Sequence, residues 1–372
     1  MNFLYKRKNT PSDNDDIELA DFTRKKILSA DASSSVEKPL KVNHHVAIVL
    51  NSDPTLQDVA KVCAVVGVPI GMNRFPGGMS NSVWKVDLCN NQSVILRIYG
   101  SDSGILVDRE AEFNHFTALS ELNIGPKCLA TFLNGRIEEF LAASSLTCQS
   151  IQEESLAIAE TMAKFHSTPC IKSDIILWNY LDKWYQAVLK ILMNNSTLHN
   201  QLKTSIDIYT LGHDIKRLKS MIDFKSIVFS HNDLQYGNIL KFKDSNRIIF
   251  IDFEYSGNNY LEYDIANYFC EWMADYDSVK PLFLDKSKYP SQEQQEAFIM
   301  HYLKTKYPSQ EHCHLLIKAQ VIMKRIPLFT SCSHLLWGFW GIINGSNGKK
   351  DGDFDYISYA TSRLKMFAEI KV

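Results

Sequence analysis

The hydrophobic pattern of the chain is strand-like before residue 141. Short runs rich in Val, Ile, Phe and Tyr are separated by turn-forming or polar links such as PGGMSN and CNNQ, which predicts antiparallel strands. The predicted strands occupy residues 69–75, 82–88, 93–99 and, as two short segments, 128–142. Residues 107–122 predict a helix, because large apolar side chains recur there every three residues. We therefore expect a small antiparallel sheet with one helix.

The pattern is mainly helical after residue 141. In residues 155–167, the side chains of Ile158, Met162 and Phe165 share one helical face. The tetrapeptide SQEQ at 291–294 has the form of a capping box and predicts the start of another helix. Further helices are predicted over residues 175–195, 205–222, 262–276, 311–345 and 354–370. A strand–loop–strand segment around residue 231 interrupts them, so we expect an α+β protein.

These patterns divide the chain into three segments. Residues 1–43 are rich in Lys, Asp and Ser and show no sustained period, which predicts a flexible N-terminal extension. Residues 44–141 form the predicted β-rich lobe, and residues 142–372 form the larger helical lobe. We place the hinge between the two lobes near residues 139–142.

The composition is that of an ordinary globular protein, with 45% hydrophobic and 22% charged residues. A net charge of −2 gives no reason to expect a nucleic acid as partner. Eight cysteines without a CxxC motif predict reduced thiols rather than a disulfide framework. The amino terminus lacks the apolar core of a signal peptide, and no stretch reaches the roughly 18 apolar residues of a membrane helix. We expect a soluble, cytoplasmic protein without an integral membrane segment.

The tetrapeptide EHCH at 311–314 is the nearest approach to a metal-binding cluster in the sequence. Adjacent side chains on a helix point in different directions, so these residues are not expected to converge on one ion. We therefore do not predict a zinc site here.

The sequence HNDLQYGNIL at 231–240 carries the candidate chemistry. It places Asp233 five residues before Asn238, and Asp252 follows at the end of the next apolar run. An Asp can orient an acceptor hydroxyl and take its proton, while an Asn and a second Asp can hold Mg²⁺ against nucleotide phosphates. Either Asp233 or Asn238 alone would fit a polar turn, but the combined spacing favours phosphoryl transfer. His231 is interpreted as a structural brace.

The first lobe contains the parts that a nucleotide site needs. Glycines in a turn between strands let backbone N–H groups approach phosphates closely. The predicted phosphate-binding turn contains Gly77, Gly78, Ser80 and Asn81. Arg97, in a predicted strand, is the expected cation for the phosphates, and Glu110 on the following helix is its expected partner.

At this point the sequence resembles the choline/ethanolamine kinase family. The resemblance rests on HNDLQYGNIL, on IDFEYSGNNYLEYDIANYFCEWMADY (251–276) and on SHLLWGFWGI (333–342), and it covers roughly residues 70–370. It implies a protein-kinase-like two-lobed fold and transfer of the γ-phosphate of ATP, with Mg²⁺, to a small-molecule amino alcohol. Such a reaction on choline is the first step of phosphatidylcholine synthesis by the CDP-choline route. Members are often dimers, which suggests a homodimer.

The resemblance also implies roles for individual residues. Asp233 would be the base, Asn238 and Asp252 the metal ligands, and Arg97 the residue on the nucleotide phosphates. The backbone around Glu138, Glu139 and Phe140 would meet the adenine in the hinge. A side-chain contact from Glu139 is not expected, because family members often carry Gln there.

Aromatic residues predict the acceptor site. A quaternary ammonium has no N–H to donate, so aromatic faces with a nearby acid hold it best. Trp337 and Trp340 lie three residues apart and share a helical face. The remaining members of the predicted site are Glu271, Tyr276 and Tyr359, at positions that match the family's choline site.

Several alternatives stay open. Choline is the favoured acceptor, but an ethanolamine kinase or a dual kinase fits the same motifs, because one or a few methyl groups change binding only modestly. An aminoglycoside-type phosphotransferase would share the catalytic loop but would need a more acidic pocket. A non-catalytic nucleotide-binding protein would be expected to have lost Asp233, Asn238 or Asp252.

Overall fold

In the computed structural model, the described chain runs from residue 44 to residue 370 with short gaps. The gaps comprise residues 76–80, 101–103, 170–173, 204–205, 225, 246, 279–282 and 347–353. The predicted extension over residues 1–43 lies outside the described residues.

A six-stranded sheet dominates the first part of the chain. Its strands are β1 (His45–Val46), β2 (Pro69–Arg74), β3 (Asn81–Leu88), β4 (Ser93–Tyr99), β5 (Cys128–Phe132) and β6 (Gly135–Glu139). The order is β1–β5–β6–β4–β3–β2, and all pairs are antiparallel except β1 with β5. Strand β3 buries Trp84, Val86 and Leu88 on one face, as the alternating pattern predicts.

The described helices follow the predicted order along the chain. They are α1 (Leu56–Cys63), α2 (Arg109–Glu121), α3 (Ser150–Glu153), α4 (Ser155–Phe165), α5 (Ile176–Asn194), α6 (Ser196–Lys203), α7 (Leu211–Ser220), α8 (Leu261–Glu271), α9 (Gln292–Lys306), α10 (His312–Ser346) and α11 (Tyr356–Glu369). The capping box is confirmed, because Ser291 and Gln294 exchange the two expected hydrogen bonds at the start of α9. Helices α1, α3 and α6 were not predicted.

Short strands position the loop that contains Asp233. They are β7 (Ala143–Ser145), β8 (Ile227–Ser230), β9 (Ile239–Phe242), β10 (Ile248–Phe250) and β11 (Gly257–Tyr260). Strand β8 pairs with β11, and β9 lies between β10 and β7. The loop 231–238 leaves β8 and enters β9, whereas the segment 251–256 leaves β10 and enters β11. The two segments therefore run side by side.

Two large hydrophobic clusters form the core. The smaller one joins the six-stranded sheet to α1 through Val59 and Val62. The larger one contains side chains from the helices α4 through α11 and also includes Phe116 and Leu119 of α2. Helix α2 therefore packs its apolar face into the larger cluster, although it precedes the predicted hinge. The α+β class is confirmed.

Helix α10 has the length and hydropathy of a membrane span, contrary to the expectation that no stretch of the sequence is apolar enough. Its most apolar window has a mean hydropathy of 1.3, and 94% of that window is buried inside the protein. The packing of α8, α5, α9 and α11 around this helix accounts for its apolar character. The thiols of the seven described cysteines are free.

Candidate active site

A cavity of about 1020 Å³ contains residues from both parts of the chain. Most of the predicted site residues line it: Asn81, Arg97, Glu138, Glu139, Phe140, Asp233, Asn238, Asp252, Glu271, Tyr276, Trp337, Trp340 and Tyr359. The predicted turn residues Gly77, Gly78 and Ser80 lie outside the described residues. The structure thus brings the candidate nucleotide, catalytic and acceptor residues to one cavity.

Asp233 and Asn238 are held together within the loop 231–238. The side-chain amide of Asn238 donates hydrogen bonds to the backbone oxygen and to Oδ2 of Asp233, both at 2.9 Å. The amide oxygen of Asn238, Oδ1, accepts a hydrogen bond from Nε2 of Gln235 at 3.2 Å. The loop therefore fixes both side chains before any ligand binds.

His231 braces this loop, as predicted. Because a carbonyl oxygen only accepts, Nε2 of the imidazole carries the proton and donates to the Ile251 oxygen at 2.9 Å. The other nitrogen, Nδ1, accepts from the Asp233 backbone N–H at 3.3 Å. Burial lowers the pKa of His231, which favours the neutral ring that this arrangement requires.

Asp264, on α8, fixes the start of the loop. Its carboxylate accepts from the backbone N–H groups of His231 and Asn232 at 2.8 and 2.7 Å and from the His166 ring at 2.9 Å. Burial alone would raise the pKa of Asp264, but these hydrogen bonds hold it below its usual value. Asp264 is therefore a buried anion that orders the loop from behind.

Asp252 faces Arg97 from the second segment. Its backbone is left-handed, with φ of 65°, and its Oδ1 accepts from Nη1 of Arg97 at 3.2 Å. Nε of Arg97 donates to Glu138 at 2.9 Å. The prediction that Glu110 pairs with Arg97 is wrong, because Glu110 is exposed on the outer face of α2. Glu138, on the strand next to β4, takes that place because its side chain points to the same face of the sheet as Arg97.

A chain of buried charges continues from Glu138. Arg136 donates to Glu138 at 2.7 Å and to Glu112 at 2.9 Å. Glu112 also pairs with Arg109 at 2.7 Å, and Arg109 lies 3.6 Å from Glu254. Because Glu254 is two residues from Asp252, this chain links β6 and α2 back to the second segment of the site.

The acidic surroundings alter the proton affinity of Asp233. Burial raises the pKa of this carboxyl well above its usual value, and the negative charges of Glu271, Asp252 and Glu254 raise it further. The hydrogen bond from Asn238 opposes this shift. A raised pKa gives the carboxylate a higher affinity for a proton.

Aromatic rings line a further part of the cavity, which we call its aromatic end. The ring centroid of Trp340 lies 5.7 Å from that of Trp337 and 5.8 Å from that of Tyr359, and both pairs are edge-to-face. Nε1 of Trp340 donates to the Tyr255 hydroxyl at 2.9 Å, and Nε1 of Trp337 donates to Asn267 at 2.8 Å. These hydrogen bonds use up the indole donors and fix the orientation of the rings.

Two glycines bring α11 close enough to complete this end. A Cβ on Gly338 would lie 2.7 Å from Leu364, and one on Gly341 would lie 2.9 Å from Ala360. The two helices can therefore pack tightly at these positions, which places Tyr359 beside Trp340.

The hinge residues differ in what their side chains contact. The Glu138 side chain points to Arg97 and Arg136, so only its backbone can face the nucleotide side of the cavity. The Glu139 carboxylate accepts from the Lys127 backbone N–H at 3.3 Å. Phe140 lies under the ammonium group of Lys85, 5.1 Å from its ring centroid.

Oxygen atoms that line the cavity fit a magnesium ion. Asn238 and Asp252 present amide and carboxylate oxygens, the ligand types that Mg²⁺ prefers. Arg97 and Lys85 line the same cavity and can balance phosphate charge.

The tetrapeptide EHCH is closer to a metal-binding geometry than the sequence predicted. Ligand atoms of Glu311, Cys313 and His314 lie within 4.8 Å of one another. Glu311 precedes the first residue of α10, so its side chain is not bound by the helical spacing. All three residues are exposed and do not line the cavity described above.

Sequence reasoning missed several residues of the site. Tyr255 lies within the quoted segment 251–276 and could have been found there. Arg136 lies within GRIEEF (135–140), which also resembles the family, but no role was predicted for it, and Arg363 lies in no recognised motif. Phe354 lines the cavity 5.6 Å from the ring of Tyr359. Phe354 lies in no motif or periodic pattern of the sequence, so nothing there predicted its place in the site.

Comparison with known proteins assigns the chain to a family. The family model described as choline/ethanolamine kinase matches residues 72–368. The protein described as "Probable choline kinase 2" from Arabidopsis thaliana is 35% identical over 302 residues, which cover 78% of this chain and 83% of the relative.

Solved structures agree with this assignment. An ethanolamine kinase from Plasmodium vivax superposes with a TM-score of 0.71 at 25% identity and covers 93% of this chain and 94% of its own. A choline kinase from Cryptosporidium parvum superposes with a TM-score of 0.68 at 27% identity, and the match covers 80% of this chain and 88% of that kinase. The protein-kinase-like two-lobed fold is thereby confirmed, and the chain belongs to the choline/ethanolamine kinase family of phosphotransferases.

Proposed function

We propose that this chain transfers the γ-phosphate of ATP to the hydroxyl group of choline. The observation that carries the proposal is the cavity in which Asp233, Asn238 and Asp252 lie together with Trp337 and Trp340. One end offers oxygen ligands and a proton acceptor, and the other end offers aromatic faces. These are the two requirements for phosphorylating an alcohol that carries a quaternary ammonium.

Asp233 is the proposed general base. Its carboxylate would accept the proton of the acceptor hydroxyl as the oxygen attacks phosphorus, and its raised pKa suits that task. Asn238 holds the carboxylate in place by donating one hydrogen bond to its Oδ2 and a second to the backbone oxygen of Asp233.

Asn238 and Asp252 are the proposed ligands of Mg²⁺. A bound Mg²⁺ supplies positive charge to the phosphate oxygens. Arg97 is the proposed phosphate contact, and Glu138 keeps its guanidinium oriented toward the cavity. The proposed nucleotide contacts remain the backbone of 138–140, Asn81 at the start of β3, and the predicted turn residues Gly77, Gly78 and Ser80.

The aromatic end supports choline over ethanolamine. Both indole N–H groups already have acceptors, and a carboxylate oxygen of Glu271 accepts from the Tyr276 hydroxyl at 2.8 Å. A quaternary ammonium needs ring faces rather than free hydrogen-bond acceptors, which this end provides. Ethanolamine remains the alternative acceptor, because three methyl groups change the binding free energy only modestly. The cytoplasmic location and a homodimer also remain proposals.

Initial rates of ATP turnover test the proposal. We expect Mg²⁺-dependent turnover that choline stimulates more than ethanolamine at equal concentrations, with little turnover in the absence of an acceptor. A preference for ethanolamine would overturn the acceptor assignment and leave the phosphotransfer residues in place. Turnover that neither alcohol stimulates would overturn the proposed function.

A further inference from the structure

A buried arginine lies behind the acceptor end of the cavity. The side chain of Arg363, on α11, is 0% exposed, and Nη1 has no hydrogen-bond partner among the described residues. Burial works against its charge, but the nearby Tyr359 and Glu271 raise the pKa of Arg363 well above its usual value. Arg363 is therefore a permanent cation inside the protein.

Arg363 contacts three residues that line the cavity. Its Nη2 donates to Oε1 of Glu271, and its Nε donates to the Tyr359 hydroxyl at 3.1 Å. The Tyr276 hydroxyl, 3.5 Å from Nη2, donates to the second oxygen of Glu271 at 2.8 Å. The guanidinium thus joins an acid of α8 to a ring of α11.

These contacts have two consequences for a cationic acceptor. First, the guanidinium of Arg363 balances the charge of the Glu271 carboxylate and fixes its position. The carboxylate therefore does not move into the space between the aromatic rings when no ligand is bound. Second, the hydrogen bond to its hydroxyl fixes the Tyr359 ring beside Trp340. A lysine at position 363 would keep the charge but could not reach both partners with one planar fork.

We propose that Arg363 is a positioning residue for the acceptor, because it holds Glu271 and Tyr359 in the arrangement that binds the ammonium group. This inference rests on the proposed function for the identity of the acceptor. Arg363 acts through the two side chains and does not itself line the cavity.

The test compares Arg363→Lys and Tyr359→Phe with Arg325→Lys. Arg325 lies on α10, the helix that also carries Trp337, and its guanidinium is 2.9 Å from the buried carboxylate of Glu262. Arg325 does not line the cavity. For Arg363→Lys we expect the KM for choline to rise about tenfold, the effect of losing about 1.4 kcal/mol of binding. The KM for ATP and the melting temperature should resemble those of Arg325→Lys.

Tyr359→Phe keeps the ring and removes only the hydroxyl that Arg363 contacts. We expect it to reproduce part of the rise in the choline KM, and we expect the double variant to lose less than the sum of the two single effects. Equal rises in the KM for choline and ATP, or additive effects in the double variant, would overturn the inference.

Binding of tetramethylammonium, followed by tryptophan fluorescence, separates this inference from the proposed function. Weaker binding to Arg363→Lys than to Arg325→Lys supports the positioning role even if the wild type phosphorylates neither amino alcohol. In that case only the proposed function would fail. Equal binding to both variants, or none to the wild type, would overturn the inference.

Discussion

Two residues in the segments that form the active site adopt a left-handed backbone conformation, which residues other than glycine rarely adopt. Asn232 has φ of 69° and Asp252 has φ of 65°, and each is the second residue of its segment, 231–238 and 251–256 respectively. Buried hydrogen bonds keep Asn232 in this conformation: its amide donates to the Tyr255 oxygen at 2.9 Å and accepts from Asn259 at 2.8 Å. Local strain is thus offset by contacts that join the two segments.

Substitution of Asn232 separates the strain from the hydrogen bonds. We expect Asn232→Ala to be less stable than Asn232→Gly by about 1 kcal/mol, because only alanine is strained at positive φ. Both variants should be less stable than the wild type by about 1–3 kcal/mol, because buried acceptors lose their donor. Denaturant unfolding measures all three proteins. Equal stability of the two variants would show that the backbone at position 232 is not strained.

The elements of the site are joined by charges as well as by apolar packing. Arg136 on β6 bonds to Glu138 on its own strand and to Glu112 on α2, and it is 1% exposed. The guanidinium also lies 4.1 Å from the ring centroid of Phe116. Arg136 therefore links the sheet to the helix that packs into the larger core.

Removal of this arginine should cost far more than removal of an exposed one. We expect Arg136→Met to lower the free energy of unfolding by about 3–5 kcal/mol, because two buried carboxylates each lose one of their two arginine partners. Arg217→Met is the matched control, since Arg217 is 46% exposed and lies 3.5 Å from Asp214. Its effect should stay within about 0.5 kcal/mol in the same denaturant titration. Similar losses in both variants would contradict a special role for the buried chain of charges.

At the scale of the whole molecule, the site depends on residues that are far apart in the sequence. Arg97 and Asp252 are separated by 155 positions, and Glu271 and Arg363 by 92. The two hydrophobic clusters of the core hold the strands and helices that carry these residues in place. The stability of the fold and the geometry of the cavity are therefore coupled.

Buried histidines make this fold sensitive to acid. Burial lowers the pKa of four of them: His115, His166, His231 and His334. Below about pH 6.5 the unfolded chain binds more protons at these sites than the folded chain, so the free energy of unfolding should fall. Each unit of pKa difference corresponds to about 1.4 kcal/mol when the pH is below both values. Asp233, with a raised pKa, acts in the opposite direction.

Denaturant unfolding at pH 7.5, 6.5 and 5.5 measures this dependence. We expect His334→Gln to reduce the loss of stability between the highest and the lowest pH. His213→Gln, at an exposed position, should leave the loss unchanged. A wild-type stability that does not fall below pH 6.5 would contradict the account.

The sequence predicted those features that depend on local pattern. Alternation located the strands around Trp84 and Leu96, and spacing located Asp233 and Asn238 in one loop. Features that depend on tertiary packing were missed or misassigned. Glu110 was chosen over Glu138 as the partner of Arg97 because sequence order does not tell which side chains meet across a sheet. The buried Arg363 had no periodic signal, since its partners come from other elements.

The most direct test of the account is the turnover of Asp233→Asn with choline, compared with the wild type. We expect kcat to fall by about 10²–10⁴-fold, the usual contribution of a general base, while nucleotide binding and the melting temperature change little. Asp277→Asn, another acid that lines the cavity, serves as the control and should retain activity within a few fold. If Asp233→Asn retained kcat within a few fold of the wild type, the proposal that Asp233 is the base would be wrong.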